Sequence, residues 1–241
     1  MANVYWNKEG ADAHWDTHAG NWWNNVLHRV GTDENGAVPI DTNYAYLLGI
    51  TAPDNGPAVP VSLIGLDTSA LTAAVTITGV VTVTGALVLG APFGTDVHTF
   101  EGNGSGLANA IIQGASVVDS DSGVGTGAIF KDTASIKNAV GFLTSPRFYD
   151  SSGATGAKFA TSIYCYGNQT FTEADTGLVF TGVEIYVFGS LTINNTGTNT
   201  ITGVPNIHLM SRTADFRPIG DVTASVALYR FATAHRLRRI S

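Results

Sequence analysis

The chain of 241 residues is short of charge, of cysteine and of long apolar runs. Charged residues make up 13% of it, about half the usual share. One cysteine, Cys165, excludes an intrachain disulfide framework and a cysteine-rich metal site. No apolar run approaches the ~18 residues of a transmembrane helix, and the N-terminus lacks the basic and apolar regions of a signal peptide. We therefore expect no membrane span and no ordinary secretion.

Basic residues are scarce except near the C-terminus. The segment 212–241 holds six arginines and two aspartates, a balance of +4, whereas the segment 1–211 holds six basic and 17 acidic side chains, a balance of −11. Such asymmetry often marks an interacting terminus. The cluster Arg236, Arg238 and Arg239 is small for a nucleic-acid site, and the acidic body would repel phosphate. We therefore expect this basic tail to contact an acidic protein surface or to be a solvated end, with nucleic acid an unlikely partner.

Glycine is abundant and divides the chain into short segments rich in valine, isoleucine and threonine. The runs have four to six residues, alternate apolar side chains with threonine, and end at glycine or asparagine, as in 75–79, 80–85, 184–189 and 190–194. This pattern predicts strands joined by sharp bends, because glycine and asparagine tolerate positive φ. The chain divides into an aromatic N-terminal segment (1–50), a strand-rich body (51–211), and a C-terminal strand with the basic tail (212–241).

The spacing of these glycines favours one all-β architecture over another. One- or two-residue bends are too short for a crossover helix, and they lack the Asn-Gly and Asp-Gly pairs that dominate tight hairpins. A strand followed by a bend and another strand predicts a parallel β-helix, or solenoid, in which each coil covers the next. The alternative is a jelly roll or β-sandwich with different connections. No single period persists from 61 to 210, so the predicted repeat is degenerate.

All four tryptophans lie near the N-terminus, at Trp6, Trp15, Trp22 and Trp23. Together with nearby residues they form the series Asn3-Val-Tyr-Trp6, Trp15-Asp16, Gly20-Asn-Trp22 and Val38-Pro39 followed by Asp41. This series resembles the opening of β-helical structural proteins of tailed phages and of some autotransporter-like bacterial surface proteins. The resemblance is confined to the N-terminal segment 1–50. It departs from the usual form at 7–14, where a glycine-rich spacer is missing.

The resemblance implies a right-handed β-helix capped by the aromatic segment, in a particle component, a fibre or an adhesin. The physics of a solenoid agrees, because its first coil has an uncovered face and each aromatic ring can bury on the order of 150–250 Å². A carbohydrate platform is the alternative role for the tryptophans. Trp22 and Trp23 cannot both stack on the same sugar face if they are neighbours in a strand.

Residues that could carry chemistry are few and poorly grouped. The best carboxylate pair for glycoside hydrolysis is Asp119 with Asp121, although the serines and glycine around them favour a turn. Glu173 with Asp175 is an equally weak pair. A β-helical lyase would also need a basic residue and often calcium on the same face, yet only six basic residues precede 212 and no calcium-loop pattern is present. We therefore expect no catalytic residue.

Histidines give no stronger signal. His14 and His18, with Asp16 between them, have a spacing that could hold zinc only on a helix, which this segment does not favour. The histidines at 98 and 208 are expected to be half-exposed strand residues. We expect no metal site and no cofactor.

The first functional hypothesis is a non-enzymatic virion protein, made in the host cytoplasm. It would be a capsid decoration or a tail-associated or fibre component, contacting partners through the basic tail or the tryptophan segment, and associating with itself as a homotrimer and with capsid or tail proteins. The second is a bacterial surface adhesin or polysaccharide-binding β-helix, which requires export. The third is a tailspike-type polysaccharide depolymerase, for which the chain is short.

Overall fold

The computed structural model describes 3–6, 15, 22–23, 43–49, 52–53, 60–78, 81–102, 108–119, 126–137, 142–173, 177–195, 201–203, 205–220, 227–232 and 236–240. These residues form strands, turns and bends, and they include no helix. Accordingly, the described residues contain no apolar helix of membrane-spanning length.

Twenty-five strands are present in the described residues. The first twelve are β1 (Asn3–Trp6), β2 (Trp22–Trp23), β3 (Tyr44–Gly49), β4 (Val61–Leu71), β5 (Val75–Ile77), β6 (Val81–Leu89), β7 (His98–Phe100), β8 (Ile111–Ile112), β9 (Val117–Asp119), β10 (Ile129–Phe130), β11 (Ser135–Lys137) and β12 (Phe142–Leu143). The others are β13 (Arg147–Phe148), β14 (Gly153–Thr155), β15 (Lys158–Phe159), β16 (Ile163–Cys165), β17 (Asn168–Thr172), β18 (Leu178–Phe180), β19 (Glu184–Val187), β20 (Ser190–Asn195), β21 (Ile201–Thr202), β22 (Asn206–Leu209), β23 (Asp215–Gly220), β24 (Ala227–Ala232) and β25 (Arg236–Ile240).

The described strands form three sheets. The first sheet has 13 strands in the order β2-β1-β3-β4-β6-β8-β10-β13-β16-β19-β22-β24-β25, the second has eight in the order β23-β20-β17-β14-β11-β9-β7-β5, and the third has four in the order β12-β15-β18-β21. Every strand pair is parallel except β1 with β2 and β24 with β25. The chain is therefore a parallel β-solenoid, as predicted. The jelly-roll or sandwich alternative is wrong, since those folds are built from antiparallel sheets.

Strand register measures the length of each coil. Ile111 pairs with Ile129 and Ile129 pairs with Arg147, so these two coils have equal lengths. Later coils are longer, because Ile163 pairs with Ile185. The corners absorb the difference, while the pairing within each sheet is kept. This explains why a period that is regular in space is degenerate in the sequence.

The corners use residues that accept a positive φ. Asn109, Gly127 and Ser145 occupy one such corner on three successive coils, with φ of 54°, 70° and 50°. A second corner repeats in the same way at Gly114 and Asp132, with φ of 64° and 57°. Glycine, asparagine and aspartate are the residues that adopt this left-handed conformation most readily. The predicted bends are thus real, although several lack glycine.

The interior is filled by side chains that alternate with outward-facing ones along each strand. Phenylalanines dominate the middle coils, with exposures of 0–2%: Phe130, Phe148, Phe159, Phe171 and Phe180. Rings on neighbouring coils stack, as for Phe130 and Phe148, whose centroids are 4.9 Å apart. Such rings bury much apolar area, and each pair adds about 0.5–1.5 kcal/mol beyond it. The thiol of Cys165 is also fully buried, which raises its pKa.

The N-terminal tryptophans close the first sheet, as predicted for a cap. Strand β2 pairs antiparallel with β1 and places Trp22 opposite Trp6. Trp22 contacts Trp6 and Trp15 edge-on, with centroid distances of 5.2 and 4.8 Å. Its indole N–H donates to the Trp15 carbonyl at 2.7 Å. All three rings have an exposure of 0–1%, so they belong to the core.

The C-terminal end of the first sheet is also closed by an antiparallel strand. Strand β24 falls inside the segment 212–241, for which a C-terminal strand is predicted, and 221–226 lie outside the described residues. Strand β25 turns back on it, pairing Arg236 with Ala232 and Arg239 with Tyr229. The segment predicted as a basic tail is therefore part of the sheet in its backbone.

The second sheet ends at β23, where a proline protects the edge. The N–H of Asp215 donates to the carbonyl of Gly189 on the coil before. Because backbone groups alternate in direction, Pro218 has its nitrogen on the opposite side, away from β20. A proline there costs no bond within the sheet and removes a donor from the open edge.

Candidate functional site

The outward side of the first sheet carries two columns of rings in its C-terminal half. Together we call them the aromatic face, and they comprise Tyr149, Tyr164, Tyr166, Tyr186, Phe188, His208 and Tyr229. They face outward because their neighbours in the strands, such as Ile163, Ile185 and Ile207, are buried. The parallel register then brings rings from successive coils together.

The longer column runs across four neighbouring strands, β16, β19, β22 and β24. The centroids of Tyr164 and Tyr186 are 5.3 Å apart, and those of Tyr186 and His208 are 5.0 Å apart. His208 and Tyr229 follow at 5.1 Å. All three interplanar angles are 14–17°. These distances match the roughly 4.7–4.9 Å spacing of strands, so the backbone ladder itself sets the stack.

The shorter column lies two residues further along the strands and is more exposed. Tyr149 stacks on Tyr166 at 4.7 Å, and Tyr166 stacks on Phe188 at 4.9 Å. The exposed fractions of Tyr166 and Phe188 are 39% and 36%. Burial raises the pKa of the Tyr166 hydroxyl, with Tyr149 nearby adding to the effect. Since each ring covers the face of the next, the surface consists of ring edges.

A charged group lies beside the longer column. The carboxylate of Glu184 forms a hydrogen bond with Nε2 of His208 and accepts another from Asn206 at 2.7 Å. Burial raises the pKa of Glu184, but the hydrogen bonds from Asn206 and His208 outweigh it, and the pKa is below its ordinary value. The pair fixes the His208 ring within the stack. Nδ1 of His208 is buried and has no hydrogen-bond partner among the described residues.

A polar groove of about 600 Å³ runs along the outward side of the second sheet. Its lining includes Asn168, Thr170, Ser190, Thr192, Asp215 and Arg217. Ser190 donates to Oδ1 of Asn168 at 2.8 Å, and Arg217 pairs with Asp215 at 2.8 Å. Hydroxyl, amide and charged groups thus repeat along the groove at the spacing of the coils.

The predicted carboxylate pairs are only partly described. Asp119 ends strand β9, and Asp121 lies outside the described residues. Glu173 is buried, whereas Asp175 also lies outside them. The weak zinc candidate at 14–18 falls outside too, apart from Trp15. In the part of the chain that is described, no three histidine, cysteine or acidic side chains group as metal ligands do.

The expectation that His98 is half exposed is wrong. It is 1% exposed, and its Nδ1 lies 2.8 Å from Oγ1 of Thr68. His98 also forms a hydrogen bond with the backbone of Ala73, and Oγ1 of Thr68 accepts the N–H of Gly90 at 2.9 Å. This network keeps a neutral ring inside the fold, and burial lowers the pKa of His98. His208, in contrast, is stacked between Tyr186 and Tyr229, and 12% of its side chain is exposed.

The residues proposed from the sequence as contacts divide into two groups. Trp6, Trp15 and Trp22 are core side chains and offer no surface to a partner, because the first coil itself covers them. Trp23 pairs with Tyr5 in the backbone. Arg236, Arg238 and Arg239 lie in the outermost strand of the first sheet.

The aromatic face was missed in the sequence, although a signal was present. Tyr164 and Tyr166 alternate with buried residues, and Tyr186 and Phe188 repeat this pattern one coil later. Only the strand register shows that the two pairs stack. Comparison of the chain with protein-family models, curated proteins and solved structures found no match.

Proposed function

We propose that this protein is a non-enzymatic structural component of a tailed-phage particle, a capsid decoration or a tail-associated protein. The observation that carries the proposal is the aromatic face on a solenoid whose first sheet is closed at both ends. The resemblance of the N-terminal segment to phage β-helical proteins and the low charge of the chain support it. Its partners would be capsid or tail proteins and other copies of itself.

The geometry of the aromatic face suits a protein partner better than a sugar. Stacking of a sugar needs an open ring face, and here neighbouring rings cover one another except where a column ends. Tyrosine and phenylalanine edges are typical of protein interfaces. Because stacking already fixes these side chains, docking would cost little further conformational entropy.

The size of the face sets the scale of the interface. Four strands at ~4.8 Å give a column roughly 15–20 Å long, and two columns lie about 7 Å apart. Such an area is close to the few hundred Å² of a typical functional patch. It is smaller than the ~800 Å² that each partner buries in a standard complex. The aromatic face would therefore be the centre of a larger contact.

The test is incorporation into particles. Purified virions should contain the wild-type chain, whereas a Tyr166→Ser/Phe188→Ser variant should be depleted at least tenfold in quantitative mass spectrometry. Val97→Ser is the matched control, because Val97 is 45% exposed but lies outside the face. Absence of the wild-type chain from virions would overturn the proposed function. Equal incorporation of the double variant and the wild type would show that the aromatic face does not contribute to assembly into the particle.

The polar groove supports a second candidate, a polysaccharide-binding β-helix of a surface adhesin. Repeating hydroxyl and amide groups such as Ser190, Thr192 and Asn168 can bond to the hydroxyls of successive sugar units. A glycan array with the purified chain tests this, with Thr192→Val as the variant expected to lose affinity. No binding to any glycan would eliminate this candidate.

A further inference from the structure

A second groove, of about 480 Å³, lies at the corner between the first and second sheets. We call it the corner groove, and its lining includes Phe93, Thr95, Asp132, Thr133, Asp150 and Ser151. Phe93 is 84% exposed and is the most exposed large apolar side chain among the described residues. It also has a φ of 55°, which a residue other than glycine rarely adopts. An aromatic ring is therefore held open to solvent in an unfavourable backbone conformation.

Two carboxylates on successive coils, Asp132 and Asp150, line the same groove. Oδ2 of Asp132 accepts the N–H groups of Phe93 and Gly114 at 2.9 and 2.8 Å. Oδ2 of Asp150 accepts the N–H of Asp132 at 3.1 Å. These bonds fix both carboxylates and the backbone of Phe93. The Oδ1 atoms have no hydrogen-bond partner among the described residues, and the described lining of the groove contains no lysine or arginine.

This combination is suited to a guanidinium group. A planar guanidinium can bond to carboxylate oxygens and stack on an aromatic face at the same time. The groove has two negative charges and one open ring, and its floor includes Gly114, where a Cβ would lie 2.6 Å from the carbonyl oxygen of Ala91. The absence of that Cβ lets the backbone of 91–94, which carries Phe93, pack closely on the coil of Asp132.

The chain itself contains a segment of complementary charge. Strand β25 carries Arg236, Arg238 and Arg239 at the outer edge of the first sheet, in the segment whose charge balance is +4. Residues two apart in a strand are about 7 Å apart, and carboxylates on successive coils are about 5 Å apart. The backbone positions of Arg236 and Arg238 on β25 are therefore separated by a distance close to that between the two aspartate positions.

The arginines of the same chain are too distant to fill the groove. Asp150 follows β13, and β25 lies five strands further along the sheet, in the order β13-β16-β19-β22-β24-β25. At ~4.8 Å per strand this separation is roughly 24 Å, well beyond the length of one side chain. A strand β25 that fills the groove must therefore come from another copy of the chain.

We propose that the corner groove of one copy receives the arginine-rich strand β25 of a second copy. The contact joins two different surfaces, so it is heterologous and closes into a ring or extends into a filament. A ring of three copies agrees with the expected homotrimer. The proposal rests on the self-assembly that the proposed function includes, and it identifies the two surfaces that meet.

The experiment uses two variants of the full chain. The groove variant is Phe93→Asn/Asp132→Asn/Asp150→Asn, in which asparagine keeps an acceptor oxygen and tolerates positive φ. The strand variant is Arg236→Gln/Arg238→Gln/Arg239→Gln. Glu101→Gln/Val97→Ser is the matched control, which removes one exposed acid and one exposed apolar side chain outside the groove. Light scattering after size exclusion measures the mass, and circular dichroism checks the fold.

The wild-type chain and the control should form oligomers that weaken at least tenfold between about 0.05 and 0.5 M salt, since exposed charges are screened. Each variant alone should be a monomer. Mixed together they should form a 1:1 heterodimer, because one supplies an intact strand and the other an intact groove. If the triple groove variant fails to fold, Phe93→Asn alone takes its place, because the position is exposed. This single variant should weaken the association.

Three results would overturn the proposal: a monomeric wild-type chain at ~100 µM, variants that associate as the wild type does, or a mixture that stays monomeric. These outcomes are separate from the test of the proposed function. A chain that assembles through the groove but is absent from virions contradicts only the virion role. A chain that enters virions but shows any of the three results contradicts only this inference.

Discussion

Replacing Trp22 should loosen the N-terminal cap before it affects the rest of the solenoid. The ring is fully buried, packs edge-on against Trp6 and Trp15, and donates a hydrogen bond to the Trp15 carbonyl. Trp22→Ala removes all of these contacts, at a cost of about 3–5 kcal/mol for a buried tryptophan. Trp22→Phe keeps most of the packing and leaves the carbonyl without its partner, at a cost of about 1–3 kcal/mol.

The assay takes advantage of the distribution of tryptophan. Because all four tryptophans lie in the segment 1–23, their fluorescence reports the cap, while circular dichroism reports all the sheets. A solenoid is stabilised mainly by contacts between neighbouring coils, so an uncapped end can fray. With a urea slope on the order of 3 kcal/mol/M, Trp22→Ala should lower the fluorescence midpoint by about 1–1.7 M. The dichroism midpoint should fall by less, and Trp22→Phe should be intermediate.

Phe171→Ala is the matched control, since Phe171 is also fully buried but lies in a middle coil. It should lower the dichroism midpoint by a similar amount without separating the two probes. The reasoning is refuted if Trp22→Ala leaves the fluorescence midpoint unchanged. It is also refuted if the fluorescence and dichroism midpoints of that variant stay equal, because the first coil would then unfold together with the rest of the solenoid.

Three further predictions concern buried His98, the bend glycines Gly182 and Gly189, and buried Cys165. Burial holds the pKa of His98 below its ordinary value of 6.5, so below pH 6.5 the unfolded chain binds a proton that the folded chain does not. Urea titrations should therefore show the free energy of unfolding falling by up to about 1.4 kcal/mol for each pH unit below 6.5, until the pKa of the folded state is reached. His98→Gln should lose this part of the pH dependence. In Gly189→Ala the new Cβ would lie 2.1 Å from the carbonyl oxygen of Gly167, so thermal unfolding should show a loss of about 3 kcal/mol or more. Gly182→Ala is the control, because Gly182 has a φ of +63° and a new Cβ there would have no atom within 4 Å. It should cost about 1–2 kcal/mol. Equal losses of stability in the two glycine variants would contradict the argument that the Cβ of Gly189→Ala clashes with Gly167. The Cys165 thiol should react with a disulfide reagent only after unfolding, and a fast native-state reaction would show that it is not buried.

Much of the architecture could be predicted because it depends on local chemistry. Alternation in runs such as 190–194 shows a strand with one buried side, and glycine or asparagine after each run shows a bend. The concentration of tryptophan in 1–23 pointed to a cap for the same reason, since large rings must be buried somewhere. Coil length could not be predicted, because Asp132 and Ser145 serve as left-handed corners although neither is glycine or asparagine, the residues by which bends were predicted.

The candidate surfaces were largely invisible in the sequence. Tyr164 and Tyr186 are neighbours in space only because their strands pair in register, one coil above the other. Phe93 and Asp132 are 39 residues apart in the chain, yet one hydrogen bond joins them. The burial of His98 depends on Thr68 from an earlier coil. Side-chain clusters that form between coils leave no local pattern, so only the register assigns them.

The sequence by itself determined the class of fold, the aromatic cap and the uneven distribution of charge. Each of these follows from composition or from the alternation of neighbouring residues, which act over a few positions. The tertiary structure decided which outward side chains stack, that the arginine-rich segment is a paired strand, and that the corner groove combines Phe93 with Asp132 and Asp150. The physical reason is that parallel pairing brings residues that are a whole coil apart in the sequence, such as Arg147 and Tyr164, to within one strand spacing of ~4.8 Å.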